Sequence, residues 1–123
     1  MGDLMLTLHV EIVGDVVVIE CEGTIEGSDA AITLREAVTA YRRARVIVLE
    51  FSAVPTIEEG ALSMLVFLQR WALSNDIRLK LFNLSPCVRA QVKGVHSMRE
   101  FDIASLDEMM AMIAQAGLMN RAA

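Results

Sequence analysis

Aromatic side chains are scarce in this chain: four Phe, one Trp and one Tyr make up 5% of its 123 residues. Leu, Ile, Val, Ala and Met must therefore build any core. Histidine is scarcer still. His9 and His96 are the only two, and they do not form a pair with metal-ligand spacing. His9 falls in a strand-like segment and His96 in a loop-like one, which suits surface or strand-edge roles. Of the two cysteines, Cys21 sits in an apolar run and Cys87 at a helix start. With no CxxC between them, they read as reduced, buried or half-buried thiols rather than a redox or zinc site. Nucleotide-binding glycine patterns, GxGxxG and GxxxxGK[ST], are missing, as is the GxSxG nucleophile elbow. The residues thus supply no catalytic constellation and call for no cofactor or metal, and the chain reads as a non-enzyme.

Other absences narrow the class further. There is no basic run, the net charge is −5 and the pI is about 4.9, which argues against nucleic acid as a partner. The charges are dispersed, so there is no acidic tail. No apolar run approaches the ~20 residues of a membrane span. The N-terminus lacks the basic start and long apolar stretch of a signal peptide. The expectation is a complete cytoplasmic protein of one domain, residues 1–123 with a core over about 4–118, a size that buries a core without disulfides or metals.

The hydrophobic fraction, 54%, exceeds the usual value of roughly 45–50%, and its periodicity is informative. Leu4 to Ile12 alternates as a strand, Gly14-Asp15 makes a turn, and Val16 to Cys21 forms the second arm of a hairpin. After a loop over Gly23–Gly27, Ser28 or Asp29 can cap a helix whose face is Leu34, Ala37, Val38 and Tyr41. Arg42, Arg43 and Arg45 lie near its end, where cations suit the helix dipole. Val46 to Phe51 is a nearly continuous apolar run, as expected of a strand buried on both faces. From Gly60 a helical stripe runs through Ala61, Met64, Leu65, Leu68, Trp71 and Ala72, ending at Ser74-Asn75-Asp76. Ile77 to Phe82 alternates Ile77, Leu79 and Leu81 on one side with Arg78 and Lys80 on the other, a polar side broken by Phe82.

Ser85-Pro86 is a strong helix start, followed by Val88, Val92 and Val95 at helical spacing. Phe101 to Ile103 predicts a short last strand. Ser105-Leu106-Asp107-Glu108 matches a capping box, and Leu106, Met109, Met110, Ile113 and Ala114 form the face of a last helix. The order is β-β-α-β-α-β-α-β-α, an α/β fold with a mixed sheet of about five strands covered by about four helices. The last helix is expected across the sheet edge or beside the first helix.

Two features admit either a structural or a functional reading. Glu58 and Glu59 are adjacent carboxylates at a loop-to-helix junction, where they serve either the helix dipole or a binding site. Met109, Met110, Met112 and Met119 are either core filler or a flexible partner face. Met112 lies off the apolar stripe, as a contact residue would.

Four local sequences resemble the STAS family, whose members include bacterial anti-sigma factor antagonists, stressosome subunits and cytosolic domains of sulfate transporters. Gly23-Thr24-Ile25-Glu26 is similar to the element that ends an early strand in that family. Leu49-Glu50-Phe51-Ser52-Ala53-Val54 is similar to the buried strand running into D-(L/F)-S-x-V. Asn83-Leu84-Ser85-Pro86-Cys87-Val88 is similar to N-x-S-P-x-V, and Phe101-Asp102-Ile103 to a late F-x-I. The family's I-D-S-S-G-L loop aligns without gaps on Ile57-Glu58-Glu59-Gly60-Ala61-Leu62. Here the sequence departs from the pattern: Glu59 stands at the phosphoacceptor serine and Glu58 at the aspartate.

The resemblance implies a partner-binding switch loop over Thr56, Ile57, Glu58, Glu59, Gly60, Ala61, Leu62 and Ser63. Glu59 would be a permanent negative charge where a phosphate, of about −1.5 to −2, would otherwise be added. Thr56 and Ser63 carry hydroxyls nearby, but neither matches the family's phosphorylated position. The implied function is that of an anti-sigma factor antagonist. Its partner would be an anti-sigma factor of the serine-kinase type or another signalling subunit, bound through Ile57–Leu65. The alternatives are a scaffold or adaptor, stressosome-like or transporter-associated and able to form a homo-oligomer, and an apolar-ligand binder with its site between the last helix and the sheet.

Overall fold

The computed structural model describes residues 6–94 and 101–122, and for 118–122 the backbone alone. Val95, His96 and the expected first strand residues Leu4 and Met5 lie outside the described residues, as does the side chain of Met119. The elements follow the expected order: β1 Thr7–Val13, β2 Val16–Glu22, α1 Gly27–Thr39, β3 Val46–Ala53, α2 Glu59–Ser74, β4 Arg78–Phe82, α3 Pro86–Lys93, β5 Asp102–Ala104 and α4 Leu106–Ala122. They form a five-stranded sheet in the order β1-β2-β3-β4-β5. β1 pairs antiparallel with β2, and every later pairing is parallel.

The hairpin follows from its turn. Gly14 takes φ +59, and Val13 pairs with Val16 across a two-residue connection, where a positive φ matches the strand twist. A Cβ at Gly14 would meet the Ala116 carbonyl oxygen at 2.9 Å, so a glycine here also lets α4 approach the hairpin. β3 is buried on both faces: Ile47, Leu49 and Phe51 point into one core, and Val46 and Val48 into another. The larger core joins these to Val17, Ile19 and Cys21 of β2 and to Leu34, Leu65, Leu68, Val88 and Val92 from α1, α2 and α3. The smaller core holds Val16, Val46, Val48 and Ala104 under Met109 and Ala116 of α4.

The position of α4 corrects the expectation. It does not lie across the edge or beside α1 but covers the opposite face of the sheet, because Val16, Val46 and Val48 would otherwise face water. Its inward side is also turned relative to the expected stripe. Met109, Met112, Ile113 and Ala116 face the sheet, whereas Leu106 (65% exposed) and Met110 (63% exposed) point outward and Ala114 is exposed. Met112 is thus half-buried against the smaller core, not an outlying contact. Met109 and Ala116 fill the space between helix and sheet that an apolar ligand would need.

Three further details differ. α1 begins at Gly27 with Glu26 as N-cap and no side-chain cap bond, so Ser28 and Asp29 lie inside the first turn instead of capping it. No basic residue occupies the last turn of α1. The chain leaves the helix at Ala40, and Arg45 instead pairs through Nε with Asp15 Oδ2 at 2.8 Å, tying the α1–β3 connection to the hairpin turn. Lys80, expected on a polar side, is only 4% exposed. Its ammonium reaches Asp102 Oδ2 at 2.7 Å and Glu108 Oε2 at 3.4 Å. A lysine under a helix is tolerated because its charge meets two carboxylates at the rim of the smaller core. The other two caps expected from the sequence are present. Ser85 Oγ accepts from Val88 N at 3.3 Å, and Ser105 with Glu108 forms the reciprocal box at 3.1 and 3.2 Å.

Candidate functional site

The parallel strands β2, β3 and β4 deliver their carboxyl ends to one end of the sheet, where open α/β folds place their sites. Three of the four segments that carried the family resemblance meet there and hold each other, whereas Phe101-Asp102-Ile103 leads into β5, where Asp102 pairs with Lys80 of β4. Gly23 N donates to Ala53 O at 3.0 Å. Glu50 Oε1 accepts from the backbone N and Oγ of Ser52 at 3.1 and 3.0 Å, and its Oε2 accepts from Asn83 Nδ2 at 3.0 Å. Asn83 adopts φ +62, a conformation asparagine accepts more readily than most residues. These motif residues form the frame of the site. Burial, with a smaller contribution from Glu50, pushes the neighbouring Cys21 thiol up to about 12, so it stays protonated and inert.

On this frame sits the loop from Thr56 into α2. Ile57 is buried, forms a parallel bridge with Ile25, and is followed by Glu58, whose N–H donates to Ile25 O at 2.8 Å. The other side of Ile57 is held by a residue that sequence reasoning did not single out. Gln91 of α3 accepts from Ile57 N at 3.0 Å with Oε1 and donates to Ile57 O at 2.6 Å with Nε2. The same Oε1 accepts from Thr56 Oγ1 at 3.3 Å. One primary amide thus satisfies both backbone groups of Ile57. A polar residue on the otherwise apolar Val88–Val92 face was the only available signal.

The two adjacent carboxylates separate in space. Glu58 is the N-cap residue of α2 but makes no cap bond there. Its Oε1 accepts instead from Gly27 N at 3.3 Å, at the first residue of α1, where a carboxylate suits the free N–H groups and the dipole. Glu59, the first residue of α2, is exposed, and its carboxylate makes no hydrogen bond or ion pair with the described residues. It lines a cavity of about 490 Å³ between α2 and α3, together with Leu62, Ser63, Val66, Ala90, Gln91 and Gly94. Of the other loop residues, Gly60 is exposed and Ala61 is buried in the larger core. Cys87 is exposed, with Sγ 4.0 Å from both Thr56 Oγ1 and Gln91 Oε1.

Among the described residues no group of three His, Cys, Asp or Glu could hold a metal ion. No helix among them is long and apolar enough to cross a membrane. The class this geometry defines is a small α/β domain whose site is a braced loop opening into a helix, with one exposed carboxylate bonded to the start of α1 and its exposed neighbour unbonded among the described residues. The family model of the STAS domain matches residues 7–115, and the chain belongs to that family.

Solved structures share the fold. An anti-sigma factor antagonist from Mycobacterium paratuberculosis superposes with a TM-score of 0.72 at 20% identity, covering 89% of this chain and 94% of its own. The anti-sigma factor antagonist SpoIIAA in its unphosphorylated form gives 0.68 at 19% identity, covering 89% and 97%. RsbS of Moorella thermoacetica with a serine-to-glutamate substitution gives 0.68 at 18% identity, covering 91% and 98%. No curated protein sequence matches the chain.

Proposed function

We propose that this chain is a single, non-catalytic STAS domain acting as an anti-sigma factor antagonist. It would bind an anti-sigma factor of the serine-kinase type through Ile57–Leu65, with Glu59 as a fixed charge in place of a phosphorylated serine. The observation that carries this reading is the division of labour between the two carboxylates. Both are exposed, but Glu58 is occupied by Gly27 N–H, whereas the carboxylate of Glu59 has no partner among the described residues and stands at the first turn of α2 beside the cavity. An anion is favoured at a helix N-terminus, so Glu59 rests there without strain and offers a partner a charge that needs no kinase. It carries a single negative charge, weaker than a phosphate's −1.5 to −2, and no hydroxyl to modify. The fold also accommodates a serine-to-glutamate substitution in its structural neighbour RsbS.

The adaptor reading has an observation of its own. Phe67 and Leu73 on α2, and Leu106 and Met110 on α4, are large apolar side chains left exposed, as on surfaces that meet other proteins. A capture experiment separates the two. The purified protein and Glu59→Ser serve as baits in a bacterial lysate, and bound proteins are identified by mass spectrometry and incubated with labelled ATP. The antagonist reading expects a small ATP-binding anti-sigma kinase that labels Glu59→Ser and leaves the parent chain unlabelled. Recovery of large sensor or transporter subunits, indifferent to position 59, would establish the adaptor. A recovered kinase that cannot label Glu59→Ser would remove Glu59 from the phosphoacceptor position.

A further inference from the structure

The two edges of the sheet differ. β5 is three residues long and so offers little to an incoming strand. β1 spans seven residues, and among the described residues nothing pairs with its outer side. Exposed edges are normally blunted by proline, lysine, a bulge or shortness. β1 has no proline or lysine, and its register with β2 runs unbroken from Thr7↔Glu22 to Val13↔Val16.

The direction of the free backbone groups follows from the turn. In a two-residue hairpin the closing pair, Val13 and Val16, exchanges hydrogen bonds, and the pairs alternate from there. Thr7, His9, Glu11 and Val13 are thus bonded to β2, and Leu8, Val10 and Ile12 aim their N–H and C=O groups at the open edge. These three residues also share the sheet face of Val17, Ile19 and Cys21. Yet Val10 is 39% and Ile12 60% exposed, so the helices leave this margin of the face uncovered.

We propose that a second copy of this chain pairs with that edge, β1 against β1, antiparallel about a two-fold axis through Val10. Only outward-aimed residues can bond to each other, which restricts the register to shifts of two. Centring on Val10 overlaps the whole strand and forms about six N–H···O bonds. It sets Leu8 opposite Ile12 and Val10 opposite its copy, which covers the exposed apolar row. On the other face it sets His9 opposite Glu11 at both symmetry-related positions, an imidazole donor against a carboxylate acceptor. A shift toward the hairpin turn puts Glu11 opposite Glu11, which is destabilising. A shift the other way sets His9 opposite His9 and shortens the overlap. The strand is therefore self-complementary in one register, as an isologous two-fold interface requires.

Sedimentation velocity across a concentration series tests this, with circular dichroism and urea midpoints confirming each fold. The parent chain should dimerise. Val10→Pro should be monomeric and folded, since the lost N–H faces outward and an edge strand tolerates proline there. Ile12→Lys, at an exposed position, gives the same readout should the proline variant fail to fold. His9→Glu opposes like charges at both pairs and should weaken the dimer by about tenfold. Adding Glu11→Lys to His9→Glu restores opposite charges and should recover it. A parent chain that stays monomeric throughout, a dimer that survives both edge variants, or a double variant without recovery would each overturn the proposal.

Discussion

Replacing Gln91 by leucine keeps the size of the side chain and removes the amide that clasps Ile57. Two hydrogen bonds to the backbone of a buried residue are lost, at 3.0 and 2.6 Å, with a weaker third to Thr56. Each is worth about 1 kcal/mol net, and an N–H and a C=O left unpaired in a partly buried place cost about 1–3 kcal/mol each. Water reaches the loop from the cavity side and recovers part of that, so the expected loss is about 2–4 kcal/mol. The loss is concentrated in the loop, because Glu58 N–H retains its bond to Ile25 O. Native-state hydrogen exchange resolves this where a global melt would blur it. Exchange at Ile57 N–H should accelerate by about thirty- to a thousandfold, with Ile47 and Leu49 in β3 far less affected. Gln91→Glu, which can still accept from Ile57 N–H but no longer donates to its C=O, should fall between the two. Unchanged Ile57 protection in Gln91→Leu, with a urea midpoint within about 0.5 kcal/mol of the parent, would refute the bracing role of Gln91.

Two pH dependences follow from the burial of Cys21 and the capping bonds of Glu108. The Cys21 thiol is raised from 9.0 to about 12, chiefly by burial. Its contribution to stability is complete below pH 9 and is lost as pH rises toward 12, because the unfolded thiol ionises first. The full loss is about 4 kcal/mol. Urea unfolding at pH 8 and 10.5 should therefore show a steeper decline for the parent chain than for Cys21→Ala, and equal slopes would contradict the burial. Glu108 lies below its ordinary 4.5, first because the Ser105 N–H bonds its carboxylate and then because of Lys80. Its contribution is present above pH 4.5 and fades as pH falls through the lowered value. Glu108→Gln should show a shallower acid limb in thermal melts between pH 5 and 3, and an identical limb would argue against the capping box.

Periodicity made the order of elements legible because it reports which side of each segment is dry. The continuous run Val46–Phe51 reads as a strand covered on both faces, and it is so covered. Ser85 and Ser105 were readable because a cap is a local arrangement of neighbours in the chain. α4 was harder to read. Leu, Met and Ala occur nearly all round it, so several faces looked equally apolar. The sheet chose among them, turning Met112 inward and Leu106 and Met110 outward.

The residues of the loop were legible as a group through their likeness to a known pattern, but their geometry was not. Glu58 and Glu59 are neighbours of one chemistry, and only the approach of Gly27, thirty-one positions away, distinguishes them. The clasp of Gln91 spans thirty-four positions, and Lys80 became a buried cation only when Asp102 and Glu108 arrived above it. The sequence by itself determined the succession of strands and helices, the family pattern and the local caps, all of which depend on residues a few positions apart. The face taken by α4, the bracing of Ile57 and the outward turn of Glu59 were decided by the tertiary structure, because each depends on groups that only the folded sheet brings within bonding distance.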